Sequence, residues 1–382
     1  IDIEPYGIAD PERYQRTSID DYAGPGLAIL GVTLEGPLAD QFPSSGHRLV
    51  FDGIDRREIP PGNPADARKS WYQPRFEIRS EDDRGDAEQS LRRVATAAFR
   101  RPVGSEDVAA YVELFQRERA DGMSFEDALR TAVTAIFCSP RFLYLREAPG
   151  PLDDYELAAR LSYFLIRTAP DRELLELARA GRLSGDSAVL DTQAERLMKD
   201  ERFQRFLVDF CDAWLDLREI DFTMPDSSLF PEADPYLRHS MPLETQAFLG
   251  ELIRSNLPVR CLVKSDFAML NGRLAEHYGL PPVSGAELRR VDLPAGSIRG
   301  GLLTQASILK VTANGTNSSP VKRGAWVMER ILGQTPPPPP PGVPGVEPDI
   351  RGATTLRELL DKHRSLASCR ACHQKIDPPG FA

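Results

Sequence analysis

Apolar residues recur at intervals of three and four positions along most of the chain, a spacing that predicts amphipathic helices. The first of these runs ends before Pro102, because a proline ring cannot enter the interior of a helix. Ser105 opens a second helix, and Ser124 opens a third, with Asp127 three residues later in an arrangement like a capping box. Residues 86–148 therefore form a compact group of three predicted helices.

Helical spacing continues through two later parts of the chain. Residues 152–256 predict helices at about 155–165, 171–183, 192–200, 202–217 and 243–256. The fourth of these carries an apolar stripe that predicts a side facing the core: Phe203, Phe206, Leu207, Phe210 and Trp214. Further helices are predicted at 321–332 and 355–363. Between them lies a run of prolines, 336–341, which favours an extended polyproline strap.

The beginning of the chain lacks the helical spacing of the later parts. Apolar and β-branched residues over 26–34 predict a strand, and Gly36-Pro37 ends it because proline lacks the donor that a sheet requires. Residues 41–75 are rich in proline, glycine and aspartate and predict an irregular connection. This region is expected to be the end of a β domain that starts upstream.

Composition and charge argue against a nucleic-acid-binding protein and against a membrane-spanning protein. The formal net charge is -10, and no basic face of the kind that binds nucleic acid is found. No stretch approaches the length of apolar sequence that spans a membrane. The first residues, Ile1-Asp2-Ile3-Glu4, have neither an initiator Met nor the features of a signal peptide. The chain is therefore expected to be a mature or trimmed piece of a longer protein.

One short motif has a defined chemistry: Cys369-Arg370-Ala371-Cys372-His373. Two thiols three positions apart can both reach the vinyl groups on one edge of a porphyrin and form thioethers, and the adjacent imidazole then points at the iron. The spacing predicts one covalent haem c, attached through Cys369 and Cys372, with His373 as the proximal iron ligand.

Two other uses of the cysteine pair are less well supported. A structural zinc site needs four ligands, and the sequence offers no second pair. A thioredoxin-like pair should open a helix after a strand, whereas a predicted helix precedes this motif and Asp377-Pro378-Pro379-Gly380 follows it. Asp377 either caps a turn after the motif, which is the preferred interpretation, or hydrogen-bonds near the histidine. The other cysteines, Cys138, Cys211 and Cys261, are expected to be small buried apolar residues, with one disulfide among them left open.

The sixth ligand of the iron is not defined by the motif, and it governs whether a haem transfers electrons or activates a ligand. Upstream candidates are His47, His239, His277, His363 and the methionines. His363 is expected to be too close in sequence to reach the opposite face of the haem. His277, which follows a predicted helix, is the best remote candidate. A surface or capping role for His277 is the competing interpretation and the favoured one.

Several stretches resemble one known family: 91–103, 139–144, 155–165, 299–307, 319–324, the proline run and 369–382. Their sequences are similar to the large haem-containing proteins of planctomycetes and related bacteria, which are built from several adjoining domains of unknown function. Gly36-Pro37-Leu38 resembles the connection that precedes those domains. The resemblance implies an exported protein, with possible multi-haem electron transfer and with further domains on either side.

The predicted fold is mainly α, with helical domains, a small β-containing N-terminal segment and a C-terminal cytochrome c-like haem domain. The expected domains are 1–85, 86–150, 151–297 and 298–382. The primary hypothesis is an extracytoplasmic haem c protein, periplasmic or on the cell surface, that exchanges electrons with a partner protein or with other segments of the same polypeptide. The alternatives are a haem peroxidase or oxidoreductase with an open distal site, and a haem that is mainly structural.

Overall fold

A computed structural model describes residues 31–35, 38, 43–145, 147, 149–316, 318–336, 355–363 and 367–381. The fold is mainly helical, with 58% helix and few short strands, so the predicted mainly α class is confirmed. The chain divides into two compact units, one within Pro25–Phe203 and one within Gln204–Ala382. The four predicted domains and their boundaries stay a prediction.

The first unit contains one short antiparallel pair of strands and a series of helices. Its elements are α1 (Ser45–Phe51), β1 (Asp55–Ile59), a 3-10 turn (Pro64–Arg68), β2 (Arg75–Arg79), α2 (Asp83–Phe99), α3 (Ser105–Ala120), α4 (Phe125–Phe137), α5 (Pro140–Leu143), α6 (Asp154–Ile166), α7 (Arg172–Arg179), α8 (Arg182–Gly185), α9 (Ser187–Met198) and a 3-10 turn (Glu201–Phe203). In the strand pair, Asp55 lies opposite Arg79 and Ile59 lies opposite Arg75.

The second unit also contains one short antiparallel pair of strands and a series of helices. Its elements are α10 (Gln204–Trp214), a 3-10 turn (Leu217–Glu219), α11 (Pro235–Arg254), a 3-10 turn (Val259–Leu262), β3 (Phe267–Leu270), α12 (Gly272–His277), β4 (Arg289–Asp292), a 3-10 turn (Leu302–Thr304), α13 (Ala306–Val311), α14 (Pro320–Trp326), a π-helix (Val327–Ile331), α15 (Leu356–His363) and α16 (Ala367–Gly380). Strands β3 and β4 are antiparallel, with Phe267 opposite Asp292.

The three-helix group predicted at the start of the first unit is present. Helices α2, α3 and α4 bury a shared core that includes Leu91, Val108, Phe115, Leu129 and Ile136. Ser124 caps α4 as expected, with its hydroxyl accepting from the Asp127 amide at 3.1 Å. The group forms because each helix turns one apolar face inward and each start carries its own capping signal.

The strand predicted at 26–34 is wrong where it can be compared, although the N-terminal segment does contain two short strands, β1 and β2. Residues 31–34 of the predicted strand are irregular and exposed, while residues 26–30 and Gly36-Pro37 lie outside the described residues. The stretch 41–75 is not merely irregular, because it contains α1 and β1 and leads directly into β2. Strand β1 is exposed at every position, so it lacks the apolar alternation by which strands are recognised.

Two other differences involve helix α11 and the apolar stripe. Helix α11 begins at Pro235, earlier than predicted, with Asp234 as its cap, and it continues through Pro242. The stripe is only partly core: Phe203 and Leu207 are buried, whereas Phe210 is 39% exposed. Positions 203, 207 and 211 form the buried row. The rings at 206 and 210 stack in a neighbouring row that is more open, and the ring at 214 is tilted against the ring at 210.

The cysteines outside the motif differ in their surroundings. Cys211 is fully buried, and burial raises the pKa of its thiol to about 12. Cys138 is exposed and Cys261 is partly exposed, so the expectation of burial is wrong for Cys138. Within the described part of the chain, all three are free thiols rather than disulfide partners.

Helices α14 and α16 approach each other so closely that only glycine fits at two positions of the crossing. A Cβ atom on Gly324 would clash with the Ile376 carbonyl oxygen, and one on Gly380 would clash with the Pro320 carbonyl oxygen. Both contacts involve backbone atoms, which cannot rotate away as a side chain can. The two helices therefore fix each other's position. In the part of the chain that the structure describes, no helix is both long and apolar enough to cross a membrane.

We expect the substitution Gly324→Ala to destabilise the second unit by about 1–3 kcal/mol, because the added methyl group forces the two backbones apart. Gly46→Ala is the control, since a Cβ atom at that position of helix α1 would meet nothing within 4 Å. Chemical denaturation followed by circular dichroism measures both. Equal stability losses in the two variants would contradict the rigid backbone contact.

Candidate functional site

The Cys-x-x-Cys-His motif lies inside helix α16, which follows α15, the helix predicted to precede the motif. Positions 369, 372 and 373 are separated by three and four residues, so they fall on one face of the helix. Cys372 and His373 are both partly exposed. The face of α16 that carries the two cysteine positions therefore also carries the imidazole.

The turn predicted after the motif is wrong. Helix α16 continues to Gly380 and includes Pro378 and Pro379. Each proline removes a backbone donor from the helix, so local preference alone would end the helix before them. The contact of Gly380 with Pro320 in α14 holds this last turn in place.

His373 is paired with a buried carboxylate one turn further along α16. Its Nδ1 atom lies 2.9 Å from Oδ1 of Asp377, whose side chain is 0% exposed, while the His373 side chain is 17% exposed. An ionised carboxylate only accepts hydrogen bonds, so this contact suits an imidazole that carries its proton on Nδ1. In a neutral ring of that tautomer, the lone pair lies on Nε2. Of the two roles considered for Asp377, the structure has the hydrogen bond to His373, and the preferred role as a turn cap is wrong.

These residues fit a covalent c-type haem. A thiol pair three positions apart and an adjacent imidazole are the donor set that such a haem requires. The hydrogen bond at Nδ1 leaves Nε2 of His373 as the nitrogen that can bind a metal. Nothing in the described geometry of α16 opposes this assignment. The side chain of Cys369 lies outside the described residues.

The elements beside α16 include an unusual helix and an unpaired cation. The π-helix that follows α14 packs against α16, and the Trp214 indole donates to its Arg330 carbonyl at 2.6 Å. Short π-helices are frequent at functional sites. Arg323, next to Gly324 in α14, has a buried Nε atom without a hydrogen bond and forms no ion pair among the described residues. Burial lowers the pKa of this guanidinium.

His277, the remote candidate for a distal ligand, lies at the end of α12. It lines a cavity of about 220 Å³ together with Met241, Leu309 and Lys310, and no residue of α16 lines that cavity. Burial is the main cause that lowers the pKa of His277, and Arg273 and Arg299 add to it. The distal role of His277 stays a prediction. Among the other candidates, His47 lies in the first unit and the side chain of His363 is outside the described residues.

The second unit contains a buried polar cluster that was not predicted from the sequence. The hydroxyl of Tyr278 donates to Oε2 of Glu244 at 2.5 Å and accepts from the Ala306 amide at 2.7 Å. Glu244 is 1% exposed, and burial raises its pKa to about 8. The Arg299 guanidinium lies 4.3 Å from the centre of the Tyr278 ring. The sequence signal that could have indicated this cluster is Glu244 itself, an acidic residue among the apolar positions of α11.

Comparison with known families divides most of the chain into three consecutive matches. Residues 86–147 match PSD5, a protein of unknown function (DUF1595). Residues 152–280 match PSD4, a protein of unknown function (DUF1592). Residues 299–382, which include α14 and α16, match PSCyt3, a protein of unknown function (DUF1588). No curated protein and no solved structure matches the chain.

The three matches lie side by side along the chain, in the order PSD5, PSD4 and PSCyt3. Each match covers less than half of the chain, and the name PSCyt3 suggests a cytochrome-like domain at residues 299–382.

The raised pKa of Glu244 predicts a pH dependence of stability. The ordinary pKa of a glutamate carboxyl is 4.5, and the pKa of Glu244 in the folded chain is about 8. At pH values between these two, the unfolded chain ionises this carboxyl while the folded chain keeps it protonated. Unfolding therefore releases a proton in this window, and the free energy of unfolding falls as pH rises, by up to about 5 kcal/mol for this group. Glu244→Gln should remove that slope.

Denaturation at a series of pH values measures this effect. Glu251→Gln is the control, because Glu251 lies on the same helix but forms a partly exposed ion pair with Arg290 at 3.0 Å. The control should keep the slope of the unaltered protein. A slope that persists in Glu244→Gln would show that another group is responsible.

Proposed function

We propose that this protein is an extracytoplasmic haem c protein that transfers electrons. In this proposal Cys369 and Cys372 hold the porphyrin through thioethers, and His373 is the proximal ligand of the iron. The bound haem supplies a one-electron couple of iron, and its potential is set by the axial ligands and their surroundings.

One observation carries the proposal: a single helix bears both cysteine positions and a histidine whose Nδ1 atom is already occupied. The contact with Asp377 occupies Nδ1 of His373, and position 373 shares a helix face with positions 369 and 372. A histidine in a surface or capping role does not require this arrangement beside two cysteines. The match of residues 299–382 to a family named PSCyt3 supports a cytochrome-like domain.

Other residues of the second unit support the proposal through position and charge. The crossing of α14 and α16 at Gly324 and Gly380 fixes the helix that bears the iron ligand. Arg323, a half-buried cation beside this crossing, is a suitable partner for a carboxylate of the porphyrin. Burial of the cation is costly without a partner, so the site favours an anionic group.

The proposed partner is a one-electron redox protein, or another redox-active segment of the same polypeptide. It supplies or accepts the electron that the iron exchanges. Export follows from the proposal, because haem c is attached outside the bacterial cytoplasm. We therefore propose a periplasmic or cell-surface location.

The attachment can be tested with cysteine variants. In protein produced together with haem-attachment machinery, haem absorbance should survive acid-acetone extraction. The double variant Cys369→Ala, Cys372→Ala should lose the haem on extraction, because no thioether can form. Cys138→Ala removes an exposed thiol outside the motif and should retain it. Absence of covalent haem from the unaltered protein would overturn the proposal.

The electron-transfer role can be tested on the same haem-loaded protein. A reduced-minus-oxidised spectrum that cyanide leaves unchanged is expected, because an electron carrier keeps both axial positions occupied. A large shift on adding cyanide would instead indicate an open iron position and would contradict electron transfer as the main role.

A further inference from the structure

Asp377 occupies a position that is unfavourable for its own helix. It lies in the last turn of α16, where the helix dipole repels negative charge. A buried carboxylate also loses its hydration, which is costly unless a partner compensates. Asp377 is 0% exposed, so its hydration is replaced by contacts within the protein, among them the one with His373. An apolar residue or a glutamine at this position would stabilise the helix more than a carboxylate does. The carboxylate is therefore better explained by a role other than helix stability.

The pairing with His373 does not serve helix stability either. A pair of opposite charges four residues apart stabilises a helix best when the acidic residue comes first. Here the order is reversed, with histidine at 373 and aspartate at 377. The 2.9 Å contact is therefore better explained by what it does to the imidazole.

We propose that Asp377 is a positioning residue for the iron ligand. Its carboxylate holds the proton of His373 on Nδ1, fixes the orientation of the ring and increases the electron density that Nε2 donates to iron. This inference rests on the proposed function, because it concerns His373 as a ligand. Histidines that bind metals commonly donate their second N–H to a carboxylate, which fixes the tautomer and raises the basicity of the ligand.

The chemical consequence is a preference for the ferric state. A more basic axial ligand stabilises the higher charge of ferric iron over ferrous iron, so it lowers the reduction potential. A neutral amide at position 377 can still accept a hydrogen bond but carries no charge. Asp377→Asn therefore removes the charge while preserving the size of the side chain and one acceptor oxygen.

The first test is a potentiometric titration of the haem-loaded protein at fixed pH. We expect Asp377→Asn to shift the equilibrium toward ferrous iron by about tenfold or more, which equals about 59 mV for a one-electron couple. Glu329→Gln is the control, because it removes the same charge from a partly exposed residue of the adjacent π-helix. The control should produce only a small part of that shift. Equal shifts in the two variants, or none in Asp377→Asn, would overturn the proposal.

The second test uses the haem-free protein, so it does not depend on haem attachment. Nitrogen NMR of the His373 ring should show the proton on Nδ1 in the unaltered protein and a mixture of tautomers in Asp377→Asn. If the variant fails to fold, the unaltered protein alone provides the test. A His373 imidazole protonated mainly on Nε2 would contradict the inference. Loss of covalent haem with the expected tautomer would count against the proposed function and not against the role of Asp377.

Discussion

Direct contact between two helix backbones is the constraint on which the motif depends. Gly324 in α14 meets the carbonyl of Ile376, and Gly380 in α16 meets the carbonyl of Pro320. A contact of this kind has little tolerance, because neither partner can adjust by changing a rotamer. Ile376 lies three residues after His373, and Asp377 lies four residues after it. The crossing therefore sets the position of the turn that holds the imidazole, and the orientation of His373 follows from the packing of α14.

Most of the helices were predictable because their signals are local. Ser105 and Ser124 lie at the starts of α3 and α4, and the apolar spacing within each helix identifies the buried face. The strand pair β1–β2 was not predictable in this way. Strand β1 is exposed throughout and charged except at Ile59, and the pairing is stabilised by contacts across the strands, such as the Arg56 guanidinium 3.8 Å from the centre of the Phe76 ring.

Proline misled the sequence analysis at two helices for the same physical reason. Pro242 lies within α11, and Pro378 and Pro379 lie within α16. Proline weakens a helix locally, but tertiary packing can compensate for the lost hydrogen bond. The donor set of the candidate site was readable from the spacing of Cys369, Cys372 and His373. The contact of Asp377 with His373 was not, because it depends on the helix continuing where local preference would end it. Glu244 was missed because a single acidic residue among apolar helix positions is a weak signal of a buried polar cluster.

The prolines in the last turn of α16 have a consequence for folding. A helix with two missing donors near its end has little tendency to form by itself, so α16 gains its stability by docking on α14. Formation of the two helices is then one cooperative event. The distance between Nδ1 of His373 and Asp377 becomes a property of that docked pair rather than of the peptide that contains the motif. In an isolated peptide of the same sequence, the imidazole would sample many orientations and both tautomers.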